Sequence, residues 1–278
     1  MREFRKKQKR MKKIMNTFVI AAVVYIFIYY GIEPTLAKAL SQGAMAAVLA
    51  VMYILVVASM AVLFYYTSKY GKSDKFLEAV EYELSDTGYY FTSRKERDIS
   101  AYSDAVTADL LSSGFKINTN TTINDIDFDV AAYKGSSIFY IVNEPQLEKT
   151  DIIAHIDSAI YDITSINVKR KGNSVITFIS DTAEEAAISI SKVITPLGKK
   201  EQIKIAVAVV ELSTGRVYFL GNKPSKCQAL IANYAMNCDL PLKQQYIGTE
   251  RLPFQSELEE HMKDFNIKDF KNGAFFAH

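Results

Sequence analysis

The sequence predicts an α/β fold: an N-terminal two-helix transmembrane hairpin followed by a cytoplasmic α/β domain whose mixed central sheet is flanked by helices. Three observations predict it. Two uncharged apolar stretches, residues 14–32 and 39–68, are each long enough for a helix to cross a bilayer. Beyond them, apolar stripes at helical spacing alternate with short runs rich in β-branched and aromatic residues. Turn-forming residues punctuate that alternation often enough for one domain over residues 98–278, with residues 69–97 as a juxtamembrane helix and linker.

The hairpin comes first. Residues 1–13 form a basic tip holding Arg2, Arg5, Lys6, Lys7, Lys9, Arg10, Lys12 and Lys13 against one acid, Glu3. The exit of the second stretch is basic as well, at Lys69, Lys72 and Lys75, whereas the connecting turn holds only Lys38, offset by Glu33. Lys and Arg beside membrane segments stay on the cytoplasmic side, so both the N-terminus and the C-terminal domain are expected there, in a two-pass protein of the cell membrane. The first stretch is too long for a signal-peptide core and ends, at Tyr29 to Pro34, without a small-residue cleavage pattern, so it reads as a retained anchor. Small residues from Ser41 to Ala50 suit close packing of the two spans. Neither span holds an ionisable side chain, which argues against a pump or proton relay.

The elements of the domain follow in order. Residues 73–85 read as a short helix, and residues 98–112 as a better one, with Ile99, Tyr102, Val106 and Leu110 on one stripe and Gly114 as the stop. Residues 115–118 read as a strand and 119–122 as a polar turn. From 126 to 133 the pattern alternates, with Ile126, Phe128 and Val130 on one face and Asp125, Asp127 and Asp129 on the other. Lys134-Gly135-Ser136 turns the chain into residues 138–142, apolar on both faces and therefore central. A helix is expected over 148–164, a hairpin from 166–169 to 175–180 around Gly172-Asn173, and a helix over 182–194 capped by Asp181 or Thr182. Residues 203–212 and 216–220 read as strands, 225–237 and 255–265 as helices, and 273–278 as loosely held.

Charge divides the chain. Nine of the 33 Lys and Arg but only two of the 31 acids precede residue 69, which leaves the rest about −5. The tip (Arg5, Lys6, Lys7, Lys9, Arg10, Lys12 and Lys13) is expected to meet anionic lipid headgroups, whereas the acidic domain is a poor nucleic-acid binder. Lys169-Arg170-Lys171 and Lys199-Lys200 are the local basic patches. The two cysteines, Cys227 and Cys238, and three scattered histidines match no zinc spacing.

Catalytic motifs are missing: the sequence holds no GxxxxGK[ST], GxGxxG, GxSxG or HExxH. What remains is the acidic strand, whose carboxylates are hard oxygen ligands suited to Mg²⁺. A helix ending in Leu110-Leu111-Ser112-Ser113-Gly114-Phe115, the strand Ile126-Asp127-Phe128-Asp129-Val130-Ala131-Ala132, a tight turn, a strand, a helix and a further strand follow one another. Over residues 98–180 this order resembles the αβββαβ core of the restriction-endonuclease-like PD-(D/E)xK superfamily. The resemblance places Asp129 at the family's metal-binding Asp. It departs from the family at the ExK, where Ile141 and Asn143 stand for Glu and Lys, and Glu144 lies one residue further on. A two-metal cleavage site needs convergent carboxylates.

These features define the expected function: a membrane-anchored protein whose cytoplasmic domain is a non-catalytic interaction or sensing module on a degenerate nuclease-like core, with no cofactor. Its expected partners are the lipid bilayer and a protein, either a second copy or another chain. Two alternatives stay open. One is a membrane-tethered Mg²⁺-dependent nuclease using Asp127, Asp129 and Glu144. The other is a sensor whose transmembrane hairpin is itself the effector.

Overall fold

A computed structural model describes residues 1–165, 172–192, 194–197, 203–222 and 225–268. The expected strand at 166–169, the basic patches at Lys169-Arg170-Lys171 and Lys199-Lys200, and the segment 273–278 lie outside the described residues. The chain divides into two compact units, Met1–Val80 with Glu260–His278, and Glu81–Glu259.

The first unit contains a helical hairpin of α1 (Arg2–Ala39) and α2 (Gln42–Ser85), the latter running on into the second unit. Both helices are longer than the apolar stretches alone suggest. The basic tip is helical, Pro34 is absorbed within α1, and the reversal is confined to Leu40 and Ser41. The segment expected to be a separate helix over 73–85 continues α2 without a break, because nothing between Thr67 and Ser85 interrupts helical hydrogen bonding. Two helices, Arg2–Leu36 and Gln42–Gly71, are long and apolar enough to span a membrane. They run antiparallel: the Tyr25 hydroxyl donates to the Val48 carbonyl at 3.3 Å, and the Ser59 hydroxyl to Phe18 at 3.1 Å. At the open end, Phe4 packs on Tyr70 with ring centroids 5.7 Å apart.

The second unit is a mixed sheet with helices on both faces. Its elements are β1 (Tyr90–Phe91), α3 (Ile99–Ser112), β2 (Lys116–Ile123), β3 (Ile126–Lys134), β4 (Ser137–Asn143), β5 (Gln146–Leu147), α4 (Lys149–Ser165), β6 (Gly172–Ser180), β7 (Thr182–Ala183), α5 (Glu185–Ser191), β8 (Ile194–Leu197), β9 (Ile203–Glu211), β10 (Arg216–Tyr218), α6 (Lys226–Leu230) and α7 (Pro253–Lys263), the last of which runs on into the first unit. Among the described residues the main sheet has the order β1-β10-β9-β6-β4-β3-β2, with β8 on the free half of the β9 edge. β4, β6 and β9 are parallel and central, which is why they are apolar on both faces. One face packs Tyr102, Val106 and Leu110 of α3 and Cys227 and Ile231 from α6 and the π-helical turn after it. The other packs Ile152, Ala159 and Ile163 of α4 and Ala187 and Ile188 of α5.

Three local expectations are corrected. Residues 119–122 are not a turn; they lie within β2, since β-branched Thr favours extended backbone, and the reversal falls at Asn124-Asp125, both with positive φ. Asp125 therefore belongs to the turn and not to the acidic face of β3. The alternation along β3 also breaks: Phe128 packs under α4, whereas Val130 packs under α3. The β2–β3 ladder explains it, because the pairs run from Thr119–Val130 to Thr121–Phe128 past Asn120, which has φ of 49°. Finally, the helix expected over 182–194 is shorter. β7 pairs with β5 before α5 begins, and Glu184, not Asp181 or Thr182, precedes the helix, without a side-chain cap.

A buried charged cluster closes the second unit. The side chains of Asp86 and Lys192 are fully buried and pair at 2.7 Å. Asp86 also accepts from the Tyr90 hydroxyl and from the backbone N–H groups of Gly221 and Asn222, and Lys192 donates to the carbonyls of Thr87 and Phe219. Burial lowers the pKa of Lys192, opposed by Asp86. Both charged groups are thus buried and hydrogen-bonded on several sides, which is the condition under which a buried pair is tolerated.

Candidate functional site

The parallel strands β4 and β6 end side by side, and the carboxylates of interest gather there. β4 stops at Asn143 because Pro145 cannot donate to a ladder. The two strands keep one register past this break: Ser137 pairs with Asn173, Asn143 with Ile179 and Gln146 with Thr182, and α4 and α5 begin at the matching Lys149 and Glu185. The C-terminal ends of parallel strands are where open α/β sheets place ligands.

Asp129 reaches this edge from β3. Its Oδ2 accepts the Asn143 backbone N–H at 2.7 Å, so the carboxylate caps the β4 edge where the β3 backbone has turned away. Asp127 is exposed and accepts the Thr122 hydroxyl at 2.6 Å, a cross-strand contact. Glu144 is half-buried, and its pKa is raised, first by burial, then by Asp151, with smaller contributions from Asp129 and Glu148 and an opposing one from His155. The structure thus brings Asp129 and Glu144 within electrostatic reach of each other, while the Asp127 carboxylate is engaged by Thr122 across the strand pair.

Two further residues, Asp151 and His155, were not singled out from the sequence as part of this group. Asp151 Oδ2 accepts the Glu148 N–H at 2.9 Å, which secures the start of α4. His155 Nδ1 lies 2.7 Å from the Asp151 carbonyl and Nε2 3.1 Å from the Asp127 carbonyl, and the ring stands edge-on to Phe128 and Phe178. Their signal was available: an Asp at the head of an amphipathic helix and a polar residue on its buried stripe. Among the described residues no group of three or more His, Cys, Asp or Glu has the geometry to hold a metal ion.

Ile141 and Asn143, which the resemblance sets against a Glu and a Lys, each have a structural place. Ile141 is fully buried in the core under α3. The Asn143 side-chain amide donates to Ser103 Oγ of α3 at 3.3 Å.

The basic tip divides into two faces. Arg5 is buried and its guanidinium pairs with Asp74 of α2 and donates to Gln8 at 2.7 Å; Lys12 reaches the second oxygen of Asp74 at 2.8 Å. Burial alone would raise the Asp74 pKa, but the Lys12 and Arg5 hydrogen bonds outweigh it and hold the carboxyl below its ordinary value. Lys6, Lys7, Lys9, Arg10 and Lys13 are exposed.

No family model matches the chain, and no similar curated protein or solved structure was found.

Proposed function

We propose that the chain is a two-pass protein of the cell membrane whose cytoplasmic α/β domain is a non-catalytic interaction or sensing module, built on a degenerate nuclease-like core. The observation that carries the anchoring is the exposure of the two apolar helices. Large side chains such as Phe27 and Phe64 are 74% and 75% exposed, a surface that water would not tolerate over this length and that acyl chains would cover. The exposed Tyr30 near one end and Tyr65 near the other suit the two interfaces. The antiparallel pairing brings the basic tip back beside Tyr70 and Asp74, as a cytoplasmic N-terminus and a cytoplasmic domain require.

The non-catalytic reading is supported by how the edge carboxylates are used. Asp129 caps a strand, Asp151 caps a helix, both ring nitrogens of His155 face backbone carbonyls, and apolar Ile141 fills the place of a catalytic acid. The proximity of Asp129 and Glu144 favours the second reading, a membrane-tethered Mg²⁺-dependent nuclease.

Two measurements test these readings. Cysteines introduced as Ser41→Cys and Lys95→Cys are probed with a membrane-impermeant maleimide on intact cells. Labelling at 41 without lysis and at 95 only after lysis supports the topology; the reverse pattern overturns it. Calorimetric titration of the detergent-solubilised chain with Mg²⁺ and Mn²⁺ is expected to give no heat that Asp129→Asn removes, and DNA is expected to remain uncut. Metal-dependent cleavage lost in Asp129→Asn would replace the sensing module by the nuclease.

A further inference from the structure

The outer face of the tip carries a site of its own. Arg10, Lys13, Ile14, Thr17 and Phe18 recur at helical spacing along one stripe of α1 and line a recess of about 470 Å³. This stripe is distinct from the inward one, where Arg5 and Lys12 are committed to Asp74. All five lining residues are exposed. The recess straddles the join between the charged run, which ends at Lys13, and the apolar span, which begins at Ile14. Its upper part offers a guanidinium and an ammonium. Its lower part is apolar, with Ile14 and Phe18 exposed and the Thr17 hydroxyl turned back onto the Lys13 carbonyl at 3.0 Å, leaving its methyl for contact.

We propose that this recess binds one anionic phospholipid, its phosphate held by Arg10 and Lys13 and the start of an acyl chain lying on Ile14, Thr17 and Phe18. The proposal rests on the membrane reading and adds a ligand to it. Charge complementarity identifies the occupant. An arginine fork and a lysine side by side suit a phosphate diester. A free phosphate would have no use for the apolar half, and an apolar peptide would have none for the two cations. The stripe from Arg10 to Phe18 rises about 12 Å along the helix, enough for the glycerol and the first carbons of a chain beneath a headgroup.

The test uses the full chain purified in mild detergent and examined by native mass spectrometry after addition of phosphatidylglycerol, phosphatidylcholine or inorganic phosphate. One phosphatidylglycerol is expected to stay bound where phosphatidylcholine does not. Arg10→Gln with Lys13→Gln is expected to weaken retention about thirty-fold, as the loss of two interfacial cations implies. Lys6→Gln with Lys7→Gln, which removes the same charge from the same tip, is expected to leave it nearly unchanged. Phe18→Ala is expected to weaken lipid retention as well.

Equal losses in the two double variants would overturn the site in favour of a diffuse charge effect. Retention of inorganic phosphate matching that of the lipid would overturn the lipid assignment, and conversion to a dimer that excludes lipid would assign the recess to a second copy. Extraction of the wild-type chain from membranes by alkaline carbonate would defeat the anchoring itself, whereas firm insertion without lipid preference would defeat only this site.

Discussion

Two aspartates in and just after α2 show how differently the two units handle charge. Asp74, in the first unit, gathers Arg5 and Lys12 from the other helix of the hairpin, and Lys12 remains 42% exposed. Asp86, in the second unit, meets one cation among the described residues, Lys192, with both side chains wholly buried, and adds a tyrosine hydroxyl and two backbone N–H groups to its shell. The first arrangement relies on excess opposite charge near solvent. The second relies on hydrogen bonds that surround both charges in a buried interior. The difference matters because a partly solvated pair is screened and replaceable, whereas a buried one tolerates no missing partner.

Removal of one partner is the strongest way to break this comparison. Lys192→Met leaves the buried Asp86 without its cation and deprives the Thr87 and Phe219 carbonyls of their donor. A loss of about 3–5 kcal/mol is expected, measured by urea unfolding of the chain in detergent, followed by circular dichroism. A cost no larger than that of Asp74→Asn would sink the distinction between the two clusters.

A subtler change reaches the same cluster through packing. Gly221 donates its N–H to Asp86, and a Cβ added there would lie 2.1 Å from the Tyr90 ring. Gly221→Ala should wedge the Tyr90 hydroxyl away from Asp86 at a cost of about 1–3 kcal/mol, seen in the same unfolding experiment. Wild-type stability in that variant would mean that the Tyr90 contact is dispensable.

The Asp74 cluster, partly solvated at Lys12, should give less. Asp74→Asn removes the charge shared by Arg5 and Lys12, and about 1–2 kcal/mol is expected after allowance for solvent around Lys12. Because its folded pKa lies below the ordinary carboxylate value, the Asp74 contribution is present above that ordinary range and fades as pH falls through the lowered value. Acid unfolding that the asparagine variant shares unchanged would exclude Asp74 as its source.

What could be read in the sequence and what could not divides along physical lines. The apolar spans, the stripe of α3, the stop at Gly114 and the doubly apolar strand β4 depend on local periodicity, and all stand in the structure. The site was only partly legible. Asp129 and Glu144 do feel one another electrostatically, but Asp125 went into a turn and β3 changed face between Phe128 and Val130, opposite the left-handed Asn120 of β2, a local break that no periodicity announces. The charged pairs were illegible, since Asp86 and Lys192 are far apart in the chain. Lys192 did leave one trace: it stands a helical turn after the buried Ile188, where a charge with no partner would be expelled.

The smallest prediction concerns Glu83, on the last turn of α2 beside the buried pair. Burial raises its pKa to about 7, Lys192 pulls the other way, and Asp86 adds to the rise. The sign then follows from linkage. A carboxyl whose folded pKa exceeds its unfolded value binds more protons in the folded state, so stability falls as pH climbs from about 4.5 to about 7, and the penalty persists above. Wild-type stability should therefore increase on acidification from pH 8 to 5.5, the reverse of the trend set by Asp74 at lower pH. Glu83→Gln should flatten that slope and stabilise the chain at pH 8 by on the order of 1 kcal/mol, after allowance for the solvent that still reaches the carboxyl. If the variant keeps the wild-type slope, the Glu83 carboxyl is solvated in the folded state, and the dry region around Asp86 and Lys192 ends short of the α2 terminus.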